Sequence, residues 1–211
     1  AFNEAHHAKQ VANYLGTNHH EEILSPDPAL IIEKISHVLD QPFADSSIVP
    51  TYLLAKFARE NLIVALGGDG GDEVFGGYDR YLATPVMQKL NSFLGLVRGG
   101  LNLTGKKSLG KSRKVNRVGS QLSPKTSLAT RYSSILSLTQ PHELNLILSP
   151  NLHSNRSEAA FVNEFQFGNL SSLDRMIRSD FAAYLPGDLL VKVDIATMAN
   201  SLELRSPLLD V

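Results

Sequence analysis

The sequence predicts an α/β domain built on a parallel sheet, with a largely helical second half. Three observations lead there. Segments with apolar residues at helical spacing alternate with a continuous apolar run of strand length, Leu62-Ile63-Val64-Ala65-Leu66. That run ends directly in a glycine cluster, Gly67-Gly68-Asp69-Gly70-Gly71, as strand–turn–helix units of open parallel sheets do. Beyond Tyr81 no second strand-like run appears, and the apolar residues keep helical spacing.

Taken in order, Ala5, Ala8, Val11, Ala12 and Leu15 mark a first helix, and Gly16 stands where a helix end favours glycine. His19 to Leu24 reads as a short strand. Ser25-Pro26-Asp27-Pro28 reads as a helix start, with Asp27 as the cap and Pro28 in the first turn. The helix that follows carries Leu30, Ile31, Ile35, Val38 and Leu39 on its buried side. A loop from Gln41 to Ser47 leads to a third helix from about Pro50 to Asn61, and then to the apolar run. Past Tyr81, the stretches Ala83 to Leu103, Leu128 to Leu138, Glu143 to Leu148 and Leu173 to Leu185 predict helices. There is no internal repeat.

The 211 residues fit one domain, and 43% hydrophobic with 19% charged residues is an ordinary globular composition. It excludes collagen, an acidic disordered tail and a coiled coil. Twenty basic against twenty-one acidic residues give a net charge of -1, so the total offers no argument for nucleic acid. With no cysteine, there is no disulfide, thiolate metal site or catalytic thiol within these residues, which fits a reducing cytoplasm. No run approaches the roughly 18 apolar residues of a membrane helix, and no signal segment opens the chain. The chain enters helical pattern at once after Ala1 and stops within Pro207-Leu208-Leu209-Asp210-Val211, which predicts a piece of a longer protein.

One composition shift stands out. Between Asp79 and Glu143 there is no acidic residue, while basic residues recur, most densely in the Gly-, Ser- and Lys-rich stretch 105–125. It reads either as a solvated connector or as an anion-attracting rim. No aromatic residues interleave with those charges, so the stacking half of a single-strand nucleic-acid signature is missing.

The most informative segment is Leu66-Gly67-Gly68-Asp69-Gly70-Gly71-Asp72-Glu73-Val74-Phe75-Gly76-Gly77-Tyr78. Ligands of parallel sheets gather beyond the carboxyl ends of strands, and glycines leave room for close approach. Asp69, Asp72 and Glu73 crowd three carboxylates into five residues, which is costly unless something positive sits nearby. Magnesium (Mg2+) bound to a polyphosphate suits that demand. A tight turn before a helix N-terminus is the plainer reading, because acidic residues are favoured there in any case. The segment is neither a Walker A loop nor a G-x-G-x-x-G fingerprint.

Gly67 to Tyr78 resembles the "SGDGGDE(L/V)FGGY" signature of glutamine-hydrolysing asparagine synthetases. Three further stretches are similar in order and spacing: His7 to His20 (HAKQVANYLGTNHH), Gln41 to Leu54 (QPFADSSIVPTYLL) and Tyr184 to Asp210 (YLPGDLLVKVDIATMANSLELRSPLLD). The resemblance is weakest across Leu90 to Leu170. It implies an ATP-pyrophosphatase-like (adenine nucleotide alpha hydrolase-like) synthetase domain, of which residues 1–211 are part. The family's N-terminal glutaminase domain and its "SGGxDS" pyrophosphate loop are absent, so the piece alone is expected to be inactive. The resemblance further implies ATP and Mg2+ as cofactors, aspartate and glutamine-derived ammonia as substrates, and a homodimer as an unsurprising assembly.

By motif position, the resemblance makes Gly67 and Gly68, with Gly70 and Gly71, backbone contacts to ATP. Asp69 matches the acidic residue of aspartyl-AMP formation, and Asp72 the carboxylate near Mg2+-pyrophosphate. Lys192, within Val191-Lys192-Val193-Asp194, is either a phosphate-neutralising group or a surface lysine near a helix end. Asp194 and Arg205 read as structural or supporting groups. Two departures matter: Gly67 replaces the usual Ser, and Ile195 replaces the usual Arg.

His6-His7 and His19-His20 do not make a zinc site, because adjacent helical residues point apart. Asp45-Ser46-Ser47 reads as a substrate-side loop or a helix cap, not a nucleophile. The leading expectation is an ATP-dependent amidotransferase making asparagine. The alternatives are an amidotransferase of the same kind acting on another carboxylate, on a surface sugar or a secondary metabolite, and a degenerate nucleotide-binding protein.

Overall fold

The computed structural model describes residues 4–23, 28–84, 86, 127–137, 139, 143, 146, 148–149, 163, 165–166 and 168–210. The chain is α/β, with helices and a small parallel sheet among the described residues. The basic stretch 105–125, Asp27 and most of the Ala83 to Leu103 and Glu143 to Leu148 predictions lie outside the described residues.

Helix α1 spans Ala5–Leu15 and ends at Gly16, whose φ of 66° is the left-handed stop the sequence implies. Helix α2 is Pro28–Ser36 and α3 is Ile48–Arg59. The latter begins two residues before the expected Pro50. An Asp45 turn sets that start: Asp45 Oδ1 accepts the Ser47 N–H at 2.8 Å, and Oδ2 accepts the Ser47 hydroxyl at 2.7 Å. Asp45 to Ser47 is thus the start of a helix. Of the strand expected over His19 to Leu24, the described part, residues 19–23, does not form a strand, and Leu24 lies outside the described residues. Residues 17–23 are irregular and exposed, apart from a 3.6 Å contact between His19 Nε2 and Glu21 Oε2. A strand needs a neighbouring strand to satisfy its backbone, and among the described residues none pairs with residues 18–23.

Strand β1 is Val64–Leu66, the last part of the apolar run. It pairs with β2, Glu203–Arg205, which the sequence reading did not anticipate. The Glu203 N–H donates to Ile63 O at 2.9 Å and the Gly67 N–H to Arg205 O at 2.8 Å, the slanted pattern of parallel strands. Three residues with one apolar member, Leu204, carry no periodicity, so pairing alone makes β2 a strand. The sheet has two strands among the described residues, and Leu62, Ile63, Val64 and Leu66 stay exposed.

The chain divides into two compact units, Ala1–Ala65 with Ile195–Glu203, and Leu66–Asp194 with Leu204–Val211. In the first, α2 packs on α3, and Ile35, Ile48 and Ala196 form a buried cluster flanked by Ile31, Leu39, Phe43, Val49, Tyr52 and Ile195. Asn200 Nδ2 donates to Tyr52 O at 3.2 Å and Ala196 O at 2.9 Å.

In the second unit, helix α4 spans Gly71–Phe75, residues 79–84 are helical, and α5 is Leu128–Leu136. Ser127 caps α5 by accepting the Thr130 N–H at 3.1 Å. Helix α6, Ser172–Ser179, is capped likewise by Ser171 and packs on α5. The helix expected to stop at Leu185 instead continues as a π-helix over Asp180–Leu189 and as α7 over Leu190–Met198. Pro186 lies inside the π segment and has no N–H to give the ladder, and the widened turns accommodate it. Tyr81, Ala129, Tyr132, Phe165 and Met176 form this unit's buried cluster.

Candidate functional site

The glycine-rich turn leaves β1 at its carboxyl end, the position that the α/β reading assigned to it. The chain folds back at once, with the Gly71 N–H on Gly68 O at 3.1 Å and the Val74 N–H on Gly70 O at 2.9 Å. Gly70 has φ of 86°, and the Leu209 side chain lies where its Cβ would be; Leu208 lies beside Gly71. The turn therefore rests on the segment that follows β2, through glycine faces that admit leucine side chains. An open cleft beside it is lined by Leu66, Arg205, Ser206, Pro207, Leu209 and Asp210.

The three carboxylates of the turn diverge. Asp69, partly exposed, folds back over Gly67: a Cβ there would stand 2.7 Å from Asp69 Oδ2. Asp72 is exposed and covers the Cα of Gly77 in the same way. Glu73 is 1% exposed and accepts the Tyr78 hydroxyl at 2.9 Å. A hard cation shared with a polyphosphate takes one or two protein carboxylates. Asp72 suits that role, whereas Glu73 is buried and committed to Tyr78. Among the described residues no group of three or more His, Asp or Glu side chains could hold a metal alone.

The glycines contribute less backbone than their number suggests. The Gly67 N–H is spent in the sheet and that of Gly71 in the turn, while Gly68 has open space around its Cα. Helix α4 has five residues, too few for a strong dipole. What the turn presents is thus chiefly Asp69, Asp72 and the open surface of Gly68.

Behind the turn lies a buried polar knot. Asp180, fully buried at the start of the π segment, accepts at Oδ2 from Arg80 Nη2 at 2.8 Å, the Tyr81 hydroxyl at 2.6 Å and the Tyr132 hydroxyl at 2.5 Å. Arg80 Nε donates to the Tyr132 oxygen at 2.9 Å, and the guanidinium lies 3.5 Å above the Tyr78 ring and 4.6 Å from that of Tyr184. Burial raises the Tyr132 and Tyr81 pKa values far above the usual tyrosine range, with the Asp180 charge and hydrogen bonds adding to it. Tyr78 is raised as well, by burial first and then by Glu73. For Arg80, burial disfavours the charge, but the Asp180 partner outweighs it and keeps the guanidinium protonated.

This knot joins residues 78–81, directly after the turn, to the helix that runs on to Lys192. Lys192 itself is partly buried on α7. Sequence reasoning missed Asp180, although a signal existed. It falls on the α6 face of Leu173, Met176 and Ile177, and an acid at an apolar-face position demands a buried partner. Leu204, Leu208 and Leu209 gave no such signal, because nothing in the sequence says that they meet glycines.

Comparison with known proteins adds the family context. The asparagine synthase family model matches residues 1–211. The chain is 32% identical over 217 residues to "Asparagine synthetase (glutamine-hydrolyzing) 1" of Bacillus subtilis, covering 99% of this chain and 33% of that protein. A Mycobacterium tuberculosis protein provisionally named asparagine synthetase (glutamine-hydrolyzing) is 31% identical over 219 residues, 99% of this chain and 32% of its own length. A Methanocaldococcus jannaschii protein, also provisionally named so, is 40% identical over 112 residues, 51% of this chain and 21% of its own. The chain thus spans about a third of the length of the first two relatives. No solved structure matches.

Proposed function

Since the chain belongs to the asparagine synthase family, we propose that it is the synthetase portion of an ATP-dependent, glutamine-hydrolysing asparagine synthetase. The observation that carries this reading is the turn at the carboxyl end of β1, with Asp69 partly exposed over Gly67 and Asp72 exposed, while Glu73 alone of the three carboxylates is buried. Its fold would be of the ATP-pyrophosphatase type. In the first step an oxygen of the aspartate side-chain carboxylate attacks the α-phosphorus of ATP, and pyrophosphate leaves. Ammonia then attacks the acyl carbon, and AMP departs with the electron pair.

In this reading Asp69 orients the acyl-adenylate step from its seat over Gly67, and Gly68, with open space around its Cα, gives the nucleotide close approach, while Gly70 is covered by Leu209. Asp72 would hold Mg2+, which supplies charge neutralisation for the departing pyrophosphate. Lys192 would share that task. The glutaminase domain of the parent chain would deliver ammonia, in a cytoplasmic enzyme. Ile195 needs no altered acceptor to explain it. It packs against the Ile35, Ile48 and Ala196 cluster, a place where an apolar residue is at home.

The test is pyrophosphate release by the full-length parent with ATP and Mg2+, with and without aspartate. Aspartate-dependent release is expected, and Asp69→Asn should lower it by more than about 100-fold with the fold intact. Release that ignores aspartate, or an Asp69→Asn protein with full synthesis, would overturn the reading.

A further inference from the structure

Helix α4 cannot hold its direction by itself. Its five residues close too few backbone hydrogen bonds to be stable alone, so it depends on what it packs against. Its apolar residues do not supply that contact, because Val74 and Phe75 are exposed. Leu208 meets the helix at its first residue, Gly71. The one buried residue of the five is Glu73, whose carboxylate accepts the Tyr78 hydroxyl at 2.9 Å. Asp72 directly precedes Glu73 and is exposed. Its carbonyl accepts the Gly77 N–H at 2.9 Å, and its carboxylate lies over the Cα of Gly77, the residue before Tyr78. Both the helix that carries Asp72 and the glycine beneath its carboxylate therefore lead to Tyr78.

Tyr78 is itself held. The Arg80 guanidinium lies 3.5 Å above its ring, and the Tyr81 and Tyr184 rings meet it in T-shaped contacts at 5.5 Å and 6.3 Å. Arg80 is fixed in turn by Asp180 Oδ2 at 2.8 Å and the Tyr132 oxygen at 2.9 Å. We propose that Tyr78 is a positioning residue for Asp72: its hydroxyl carries the fixed geometry of the Arg80–Asp180 knot to Glu73, and so to the helix that aims the Asp72 carboxylate. The proposal rests on the reading of Asp72 as the carboxylate that holds Mg2+ with pyrophosphate.

The experiment uses the full-length parent with Tyr78→Phe, Asp72→Asn and the two combined. It measures Mn2+ binding in the presence of pyrophosphate, read from the electron spin resonance of free Mn2+, together with the aspartate KM and the thermal midpoint. Tyr78→Phe removes one oxygen and leaves the ring contacts in place, so the fold survives with a midpoint lower by about 2–4 °C. Its Mn2+ affinity should fall by about 3–10-fold, less than for a residue bonded directly to a metal ligand. Its aspartate KM should stay within about twofold of the parent value. Asp72→Asn should lose most of the Mn2+ affinity, and adding Tyr78→Phe to it should lower the midpoint again but the affinity no further, because the tyrosine acts through Asp72. Parental affinity in Tyr78→Phe, a second loss of affinity in the combined variant, or a Tyr78→Phe chain that does not fold would each overturn the positioning role. An Asp72→Asn protein with parental Mn2+ affinity would overturn the reading of Asp72 itself, and the proposal with it.

Discussion

In the first unit, Ile35 and Ile48 bury against Ala196, and aliphatic and aromatic neighbours complete the cluster. In the second, Tyr81, Tyr132 and Met176 are just as buried, but two of the three carry hydroxyls aimed at one carboxylate, with an arginine beside it. The difference lies in direction. Apolar contact is proportional to area and tolerates rearrangement, so the first core mainly holds its helices together. Hydrogen bonds to Asp180 fix angles as well as distances, so the second core sets where residues 78–81 stand relative to the helix carrying Lys192. The more exacting core lies behind the glycine-rich turn.

The largest test of that contrast removes the carboxylate. Asp180→Ala leaves the Arg80 charge buried and two tyrosine hydroxyls without their acceptor, a loss of about 3–5 kcal/mol in urea unfolding. Replacing both partners, as Arg80→Met/Asp180→Leu, should cost clearly less than the single change, because no unpaired charge remains. Equal losses would show that the knot acts by packing alone.

In the apolar core, Ile35→Ala should cost about 2–4 kcal/mol and Ile35→Val about 1 kcal/mol, the graded response of a transfer and cavity effect. A steep, all-or-none loss for the valine variant would erase the distinction between the cores.

The two cores should also separate with pH. The folded-state pKa values of Tyr81 and Tyr132 lie above that of an unfolded tyrosine, near 10, so the unfolded chain releases these protons first. Their contribution is complete below pH 10 and declines above it, by about 1.4 kcal/mol per pH unit for each tyrosine. Tyr132→Phe should flatten that decline, while Ile35→Val should leave its slope unchanged. Unfolding midpoints from pH 8 to pH 11 measure both.

The smallest effect is expected at Ile195. Arginine there trades partly buried aliphatic contact for a charge that can reach water along its own stem, and a loss of about 1 kcal/mol is expected. Higher synthesis by the Ile195→Arg parent would show that the site lacks a charge the apolar contact does not explain.

Much of this was legible before any coordinate. Helix α1 with its Gly16 stop, the strand at the end of the apolar run and the helix after Gly70 follow from spacing and glycine placement, which are local properties. The strand expected at His19 to Leu24 and the missed strand at Glu203–Arg205 fail for one reason. A short strand is made by its neighbour, and no neighbour is written in its own residues. The same holds at the turn, where the crowding of Asp69, Asp72 and Glu73 was plain in the sequence but its resolution was not.

The sequence by itself determined the α/β class, the glycine-rich turn at the strand end and, through four ordered motifs, the family. These are set by periodicity, backbone freedom and residue type, which act over a few positions. Only the tertiary structure decided that Glu73 turns inward to Tyr78, that Asp180 gathers Arg80, Tyr81 and Tyr132, and that Leu204 stands against Gly67. Each is a contact between residues that the chain brings together only by folding, from Glu73 and Tyr78 across one turn to Gly67 and Leu204 across the whole domain. A side chain's partner depends on which surface packs against it, and that is settled by the fold.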